Sequence, residues 1–170
     1  MELGDQTEWQ EKKLEYLRYQ YDLKSTDKVL DLGSYRREFA DEIIKKFGCS
    51  VECFDALDDR AAWIREGELR LGGAFYYTSA FDDKEVKTYK CVDIKPFVKD
   101  IALCKINIEG MEYDLLDYMM PFISEIKHLQ VQFHLIPDHE KRYKRIADQL
   151  SKTHKLSWRY PFVWESWERC

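Results

Sequence analysis

Twice in this chain a short apolar run ends in a glycine and gives way almost at once to a helical pattern. The first is Val29-Leu-Asp-Leu-Gly33, followed by Ser34-Tyr-Arg-Arg-Glu-Phe39. The second is Ile101-Ala-Leu-Cys-Lys-Ile-Asn-Ile-Glu-Gly110, followed by Met111-Glu-Tyr-Asp-Leu-Leu116. Apolar runs too short for a helix suit strands buried on both faces, which belong to parallel sheets covered by helices. Glycine permits the tight turn between strand and helix. The turn offers free backbone N–H groups to a ligand, and the carboxylate of Asp31 lies near the strand's carboxyl end. Asp31 and Gly33 are therefore candidate binding residues, and the chain is expected to be α/β.

The remaining pattern agrees with that expectation. Phe39, Ala40, Ile43, Ile44 and Phe47 recur at helical spacing, and Gly48 suits the C′ position that ends a helix. Ser50-Val-Glu-Cys-Phe54 reads as a second strand with Asp55 just past it. An acidic residue there, at the end of a βαβ unit, can accept hydrogen bonds from ribose hydroxyls; alternatively Asp55 caps the next helix. Ala61–Ile64 suggests a short helix, Ala74–Ser79 a strand, Val86–Val92 a solvent-facing strand and Asp93–Val98 a short capped helix.

In the second glycine stretch Lys105, Asn107 and Glu109 alternate, predicting three polar groups on one strand face. Such groups are costly to bury unless they are paired or bind something. The helix after Gly110 carries Leu115, Leu116, Met119 and Met120 and should stop at Pro121. His128–His134 alternates, with Leu129, Val131 and Phe133 inward and Gln130, Gln132 and His134 on the other face. Pro137-Asp138 is expected to cap a helix bearing Tyr143, Ile146, Ala147 and Leu150. The aromatic tail Leu156–Trp167, interrupted by Pro161, suits antiparallel edge strands. At the other end, Gln6–Leu23 reads as one amphipathic helix packed over the sheet edge, with Leu14, Leu17 and Tyr21 on one stripe and Trp9 extending it.

A chain of 170 residues is expected to be one domain, with residues 1–24 packing on it as the N-terminal helix. The net charge of −5 and the lack of a basic stripe argue against a nucleic-acid partner. The apolar runs are too short for a bilayer, and the acidic N-terminus is no secretory signal. Five cysteines form an odd set without metal-ligand spacing, which predicts reduced thiols, no metal and a cytoplasmic location.

Taken together, Val29-Leu-Asp-Leu-Gly33, Asp55 and above all Cys104-Lys-Ile-Asn-Ile-Glu-Gly-Met-Glu-Tyr113 resemble motifs of the FkbM-like family of S-adenosylmethionine-dependent methyltransferases. Gln130-Val-Gln-Phe-His134 is similar to the strand that follows in that family. The resemblance spans Lys28 to His134. It implies a Rossmann-like class I methyltransferase fold, with a mainly parallel sheet, helices on both faces and antiparallel C-terminal edge strands.

It also implies methyl transfer from S-adenosylmethionine to a hydroxyl on a sugar or small natural product. By matching position, Gly33, Ser34 and Tyr35 would line the methionine end of the cofactor and Asp55 its ribose. Ala56, Ser79 and Ala80 would lie near the adenine, and Asn107 near the methionine group or the methyl. Glu109 and His134 are the candidates for general base or substrate contact. Three positions depart from the pattern: Arg36 and Arg37 follow the first turn where more glycine is usual, Asn107 replaces an aspartate, and Gln132 stands where an acidic residue is common. The alternative reading is a catalytically degenerate Rossmann-like domain that serves as a binding or scaffolding protein. A nicotinamide-dependent oxidoreductase is disfavoured, since no full glycine fingerprint follows the first strand.

Overall fold

Four parallel strands and a C-terminal hairpin form one six-stranded sheet in this computed structural model, which describes residues 6–55, 76–77, 87–88 and 93–170. In chain order the strands are β1 (Lys28–Leu32), β2 (Ser50–Phe54), β3 (Tyr76–Tyr77), β4 (Lys87–Thr88), β5 (Ile101–Ile106), β6 (Ile126–Val131), β7 (His154–Tyr160) and β8 (Trp164–Arg169). The helices are α1 (Gln6–Glu11), α2 (Glu38–Phe47), α3 (Glu112–Met119) and α4 (His139–Leu150). The sheet order is β2-β1-β5-β6-β8-β7, while β3 and β4 form a separate antiparallel pair. Within this sheet β8 runs opposite to the other five strands, since β7 is antiparallel to β8 and β8 to β6. This is the expected Rossmann-like arrangement with its antiparallel edge pair.

Alternation along β1 and β5 sorts their side chains onto two faces. Val29 and Leu103 pack with Leu23, Phe39 and Ile43 on the α2 side. Leu30, Leu32, Cys104 and Ile106 pack with Leu115, Leu116 and Met119 of α3 and Ile146 and Leu150 of α4. Both faces are thus dry, which is why the two strands read as near-continuous apolar runs. One polar level interrupts the α2 side: Asp31, Lys105, Gln130 and Ser166 are successive partners across β1, β5, β6 and β8, each at most 3% exposed.

The N-terminal segment closes over that level, and its conformation corrects the sequence expectation. In place of one helix to Leu23, α1 ends at Glu11, Lys13 takes a left-handed conformation (φ 53°), and a 3₁₀ turn spans Leu14–Tyr19. The bend satisfies two anchors that a straight helix would not reach together. Trp9 is fully buried, 6.0 Å from Trp158 and 5.5 Å from Tyr160 between ring centres, in a cluster with Val163 and Trp164. Further along, the Tyr21 hydroxyl bonds Ser166 Oγ at 3.1 Å and accepts from Gln130 Nε2 at 2.8 Å, while Gln130 Nε2 also reaches the Arg18 carbonyl at 3.0 Å.

Other boundaries follow local chemistry. Gly48 ends α2 in the left-handed conformation with its N–H on the Ile44 carbonyl at 2.8 Å. Asp93 caps the 3₁₀ turn Lys95–Phe97 by accepting the Lys95 N–H at 3.0 Å. The α-helix α3 stops before Pro121, and the chain continues as a 3₁₀ turn from Met120 to Glu125. Asp138 precedes α4 in a left-handed conformation without a side-chain cap, so the predicted capping role is not realised. The predicted helix at 61–64 and most of the predicted strands at 74–79 and 86–92 lie outside the described residues. No helix among the described residues is long and apolar enough to cross a membrane.

Because Trp9 anchors the N-terminal segment to the edge hairpin, Trp9→Ala is expected to cost about 3 kcal/mol in denaturant-induced unfolding. A loss below about 1 kcal/mol would show that the segment contributes little to the fold.

Candidate functional site

The chain passes from β1 to β2 on one side and later to β5 on the other, so strand order reverses between β1 and β5. In open α/β sheets the crevice outside the carboxyl ends at such a reversal is the usual ligand site. Here it is bordered by the loops after β1 (Gly33–Arg37) and β5 (Asn107–Met111), with the loop after β6 beside them.

Close packing fixes the first loop. Gly33 has φ +82°, and a Cβ on it would lie 1.6 Å from the Asn107 carbonyl oxygen, so no other residue fits. Asn107 N–H donates to the Leu32 carbonyl at 2.9 Å, which draws the two loops together. Beneath them Lys105 Nζ donates to Asp31 Oδ1 at 2.8 Å and to the Gly33 carbonyl at 2.6 Å. Asp31 is fully buried and Lys105 is 3% exposed. Asp31 therefore does not stand open at the strand end; it holds the lysine that holds the turn. Lys105, Asn107 and Glu109 do not share one strand face, because β5 ends at Ile106 and Glu109 sits in a left-handed turn (φ 56°).

The backbone N–H groups of the turn are also committed, contrary to the expectation that they are free. Gly33 and Ser34 both donate to the Phe54 carbonyl, at 2.8 and 3.0 Å, and Tyr35 N–H donates to Asp55 Oδ2. The cause is the neighbouring β2, whose last carbonyl and following carboxylate face the turn. Helix α2 begins only at Glu38, after Tyr35 (φ 47°) and Arg37 (φ 65°) have both taken left-handed conformations. Such conformations cost roughly 1–3 kcal/mol each and persist where surrounding contacts impose them.

Side chains, rather than amides, carry the unmet hydrogen-bonding capacity. Among the described residues, the buried polar atoms without a partner are Asp31 Oδ2, Ser34 Oγ, Arg37 Nε, Asn107 Oδ1 and Glu112 Oε2. All belong to the carboxyl half of β1, to the two loops, or to the first turn of the helix that follows. Buried polar groups are nearly always paired, so this concentration marks a place suited to a polar ligand. Of the expected cofactor residues, Gly33, Ser34, Tyr35, Asp55 and Asn107 lie at this crevice, and Asp31 lies buried beneath it. Ala56, Ser79 and Ala80 lie outside the described residues.

The second group of side chains surrounds His134, just after β6. Its Nδ1 lies 2.8 Å from Glu112 Oε1 and its Nε2 3.5 Å from Glu109 Oε2. Glu112 is fully buried at the start of α3, and the same Oε1 accepts the N–H groups of Ile108 (2.9 Å) and Gly110 (3.2 Å). Glu109 is more than half exposed. Burial disfavours the charged imidazolium, but the Glu112 hydrogen bond and the Glu112 and Glu109 charges outweigh it, so the His134 pKa lies above its ordinary value. Glu112 is the side chain at this site that spacing did not single out. Its signal was present in Glu109-Gly-Met-Glu112, an acidic residue in the first helical turn whose carboxylate can fold back onto the N–H groups preceding the helix.

No protein-family model matches the sequence, and no curated protein matches it. Solved structures do match the fold. The methyltransferase FkbM from Methylobacillus flagellatus KT aligns with a TM-score of 0.56 at 14% identity, over 88% of this chain and 45% of that one. The 23S rRNA methyltransferase ErmE aligns with a TM-score of 0.55 at 12% identity, over 99% of this chain and 69% of its own. The chain thus spans less than half the length of the first of these. At such identities the likeness establishes the fold, and that fold is the Rossmann-like methyltransferase fold.

The Asp31–Lys105 pair gives a direct test of how the turn is held. Lys105→Met leaves a buried carboxylate without its partner and is expected to cost about 3–5 kcal/mol in chemical denaturation. The double variant Asp31→Leu/Lys105→Met is expected to be more stable than the single one. A single-variant loss below about 1 kcal/mol would remove the pair from its structural role.

Proposed function

We propose that this chain is an S-adenosylmethionine-dependent methyltransferase that methylates a hydroxyl on a sugar or small natural product. The observation that carries the proposal is the cluster of unsatisfied buried polar atoms at the β1/β5 crevice, one loop away from a histidine held between two carboxylates. The residues fit the cofactor by chemistry. Asn107 Oδ1 and Ser34 Oγ can accept hydrogen bonds from an α-amino group. A carboxylate offers about four lone-pair sites, so accepting the Tyr35 N–H does not by itself bar Asp55 from the ribose hydroxyls. Ala56, Ser79 and Ala80 are assigned to the adenine by the family resemblance.

When bound, S-adenosylmethionine supplies an electrophilic methyl whose transfer to a hydroxyl leaves S-adenosylhomocysteine and releases one proton. The chain's own work is then to orient the hydroxyl and take up that proton. His134 Nε2 is the proposed acceptor of the proton. Glu109, exposed beside Nε2, is the proposed contact for the incoming hydroxyl or the proposed stabiliser of the imidazolium once formed. An ErmE-like fold serves a 23S rRNA methyltransferase, so the net charge of −5 is no ground for excluding RNA, and an acceptor screen should include it. The rival reading of a cofactor-free binding domain draws on the committed amides of Gly33, Ser34 and Tyr35.

Thermal denaturation with S-adenosylhomocysteine separates the two. At a ligand concentration 100 times Kd the enzyme reading expects about 2.7 kcal/mol of stabilisation, a rise of roughly 5–10 °C in Tm for a domain of this size. Asp55→Ala is expected to abolish most of that rise while keeping the parent circular dichroism spectrum. No shift in the parent at millimolar ligand would favour the binding-domain reading.

A further inference from the structure

We infer that Glu112 is a positioning residue for the proton transfer, fixing which nitrogen of His134 faces the acceptor. The inference rests on the reading of His134 as the general base. Glu112 is the one carboxylate of the pair with no exposure, and its Oε1 is held by three groups at once: the Ile108 N–H, the Gly110 N–H and His134 Nδ1. The two amides belong to the loop that also carries Asn107 and Glu109. A carboxylate anchored by two backbone donors cannot turn to follow the ring, so the ring must orient to it. An oxygen that only accepts requires the proton on Nδ1. The lone pair of neutral His134 is thereby assigned to Nε2, the nitrogen on the exposed side beside Glu109.

Neighbouring contacts hold the histidine from behind. Tyr113, next to Glu112 on α3, donates its hydroxyl to the His134 carbonyl at 2.8 Å, and its ring packs on Phe133 at 5.2 Å. One turn of α3 therefore fixes both the backbone and the ring of His134. Among the described residues, the charged groups facing the imidazole are Glu112 from α3 and Glu109 from the loop before it. From α4, Arg142 lies over the Tyr113 ring and pairs with Asp114. The two carboxylates favour the protonated ring, in keeping with its upward shift. The consequence for a base follows in sign: His134 stays protonated to higher pH than a free histidine, and turnover rises as pH passes upward through that raised value.

The test is nitrogen-detected NMR of histidine-labelled protein without cofactor, so it does not depend on catalysis. In the parent, neutral His134 is expected as the Nδ1-protonated tautomer, with its transition above the ordinary 6.5. Glu112→Gln is expected to lower the transition and to populate both tautomers. Where S-adenosylhomocysteine affinity is retained, it should also reduce kcat on the order of tenfold to hundredfold with little change in cofactor KM. Neutral His134 carrying its proton on Nε2 in the parent would overturn the inference, even if Glu112→Gln failed to fold. So would a folded Glu112→Gln variant with an unchanged tautomer and transition. Parent-like NMR behaviour without any methyl transfer would instead count against the methyltransferase reading alone.

Discussion

A single buried ammonium group holds the carboxyl edge of this sheet together. Lys105 Nζ joins a carboxylate on the neighbouring strand to the carbonyl of the glycine that ends that strand. Taking an ion pair out of water is expensive, and such pairs often add little net stability over an apolar substitute. What this one provides is position. Lys105 and Asp31 are direct register partners of β5 and β1, so the bond aligns the two strands at the level where the chain must turn. The turn itself allows only glycine, because the Asn107 carbonyl occupies the space of a side chain. That closure fixes where the loops after β1 and β5 meet.

From this constraint the chemistry of the edge follows. With Gly33 and Ser34 hydrogen-bonded to the end of β2, the loop cannot receive a ligand through those amides as simple strand–glycine–helix turns do. In the proposed site, recognition rests on the side chains of Ser34 and Asn107 and on Asp55. The loop after β5 turns through two positive-φ residues, Glu109 and Gly110. That bend aims the Ile108 and Gly110 amides at Glu112, and Glu112 in turn holds His134. Cofactor side and proton side of the proposed site thus share one structural origin.

Much of the fold was legible because burial on both faces leaves an unambiguous apolar run. Val29–Leu32 and Ile101–Ile106 could be read as central strands, and Gly48 as a helix end, from residues alone. The N-terminal segment was misread as one helix because periodicity reports a local face, whereas its path is set by two distant anchors, the Trp158–Tyr160 rings and the Gln130–Ser166 pair. The two loops after β1 and β5 were legible from the glycine that ends each apolar run, whereas the side-chain pairings around them were not. The pairing of Asp31 with Lys105 could not be read, because the two lie 74 positions apart in sequence, beyond the reach of local pattern. Glu112 looked like a helix-start acid, and only the return of the chain at β6 placed a histidine against it.

A crystal structure of the chain with S-adenosylhomocysteine would test the central claim most directly. The account predicts density across the β1/β5 crevice, with the amino-acid end against Ser34 and Asn107, the ribose at Asp55 and the sulfur on the side of His134 Nε2. Density at another face of the sheet, or none in crystals equilibrated with millimolar ligand, would contradict it.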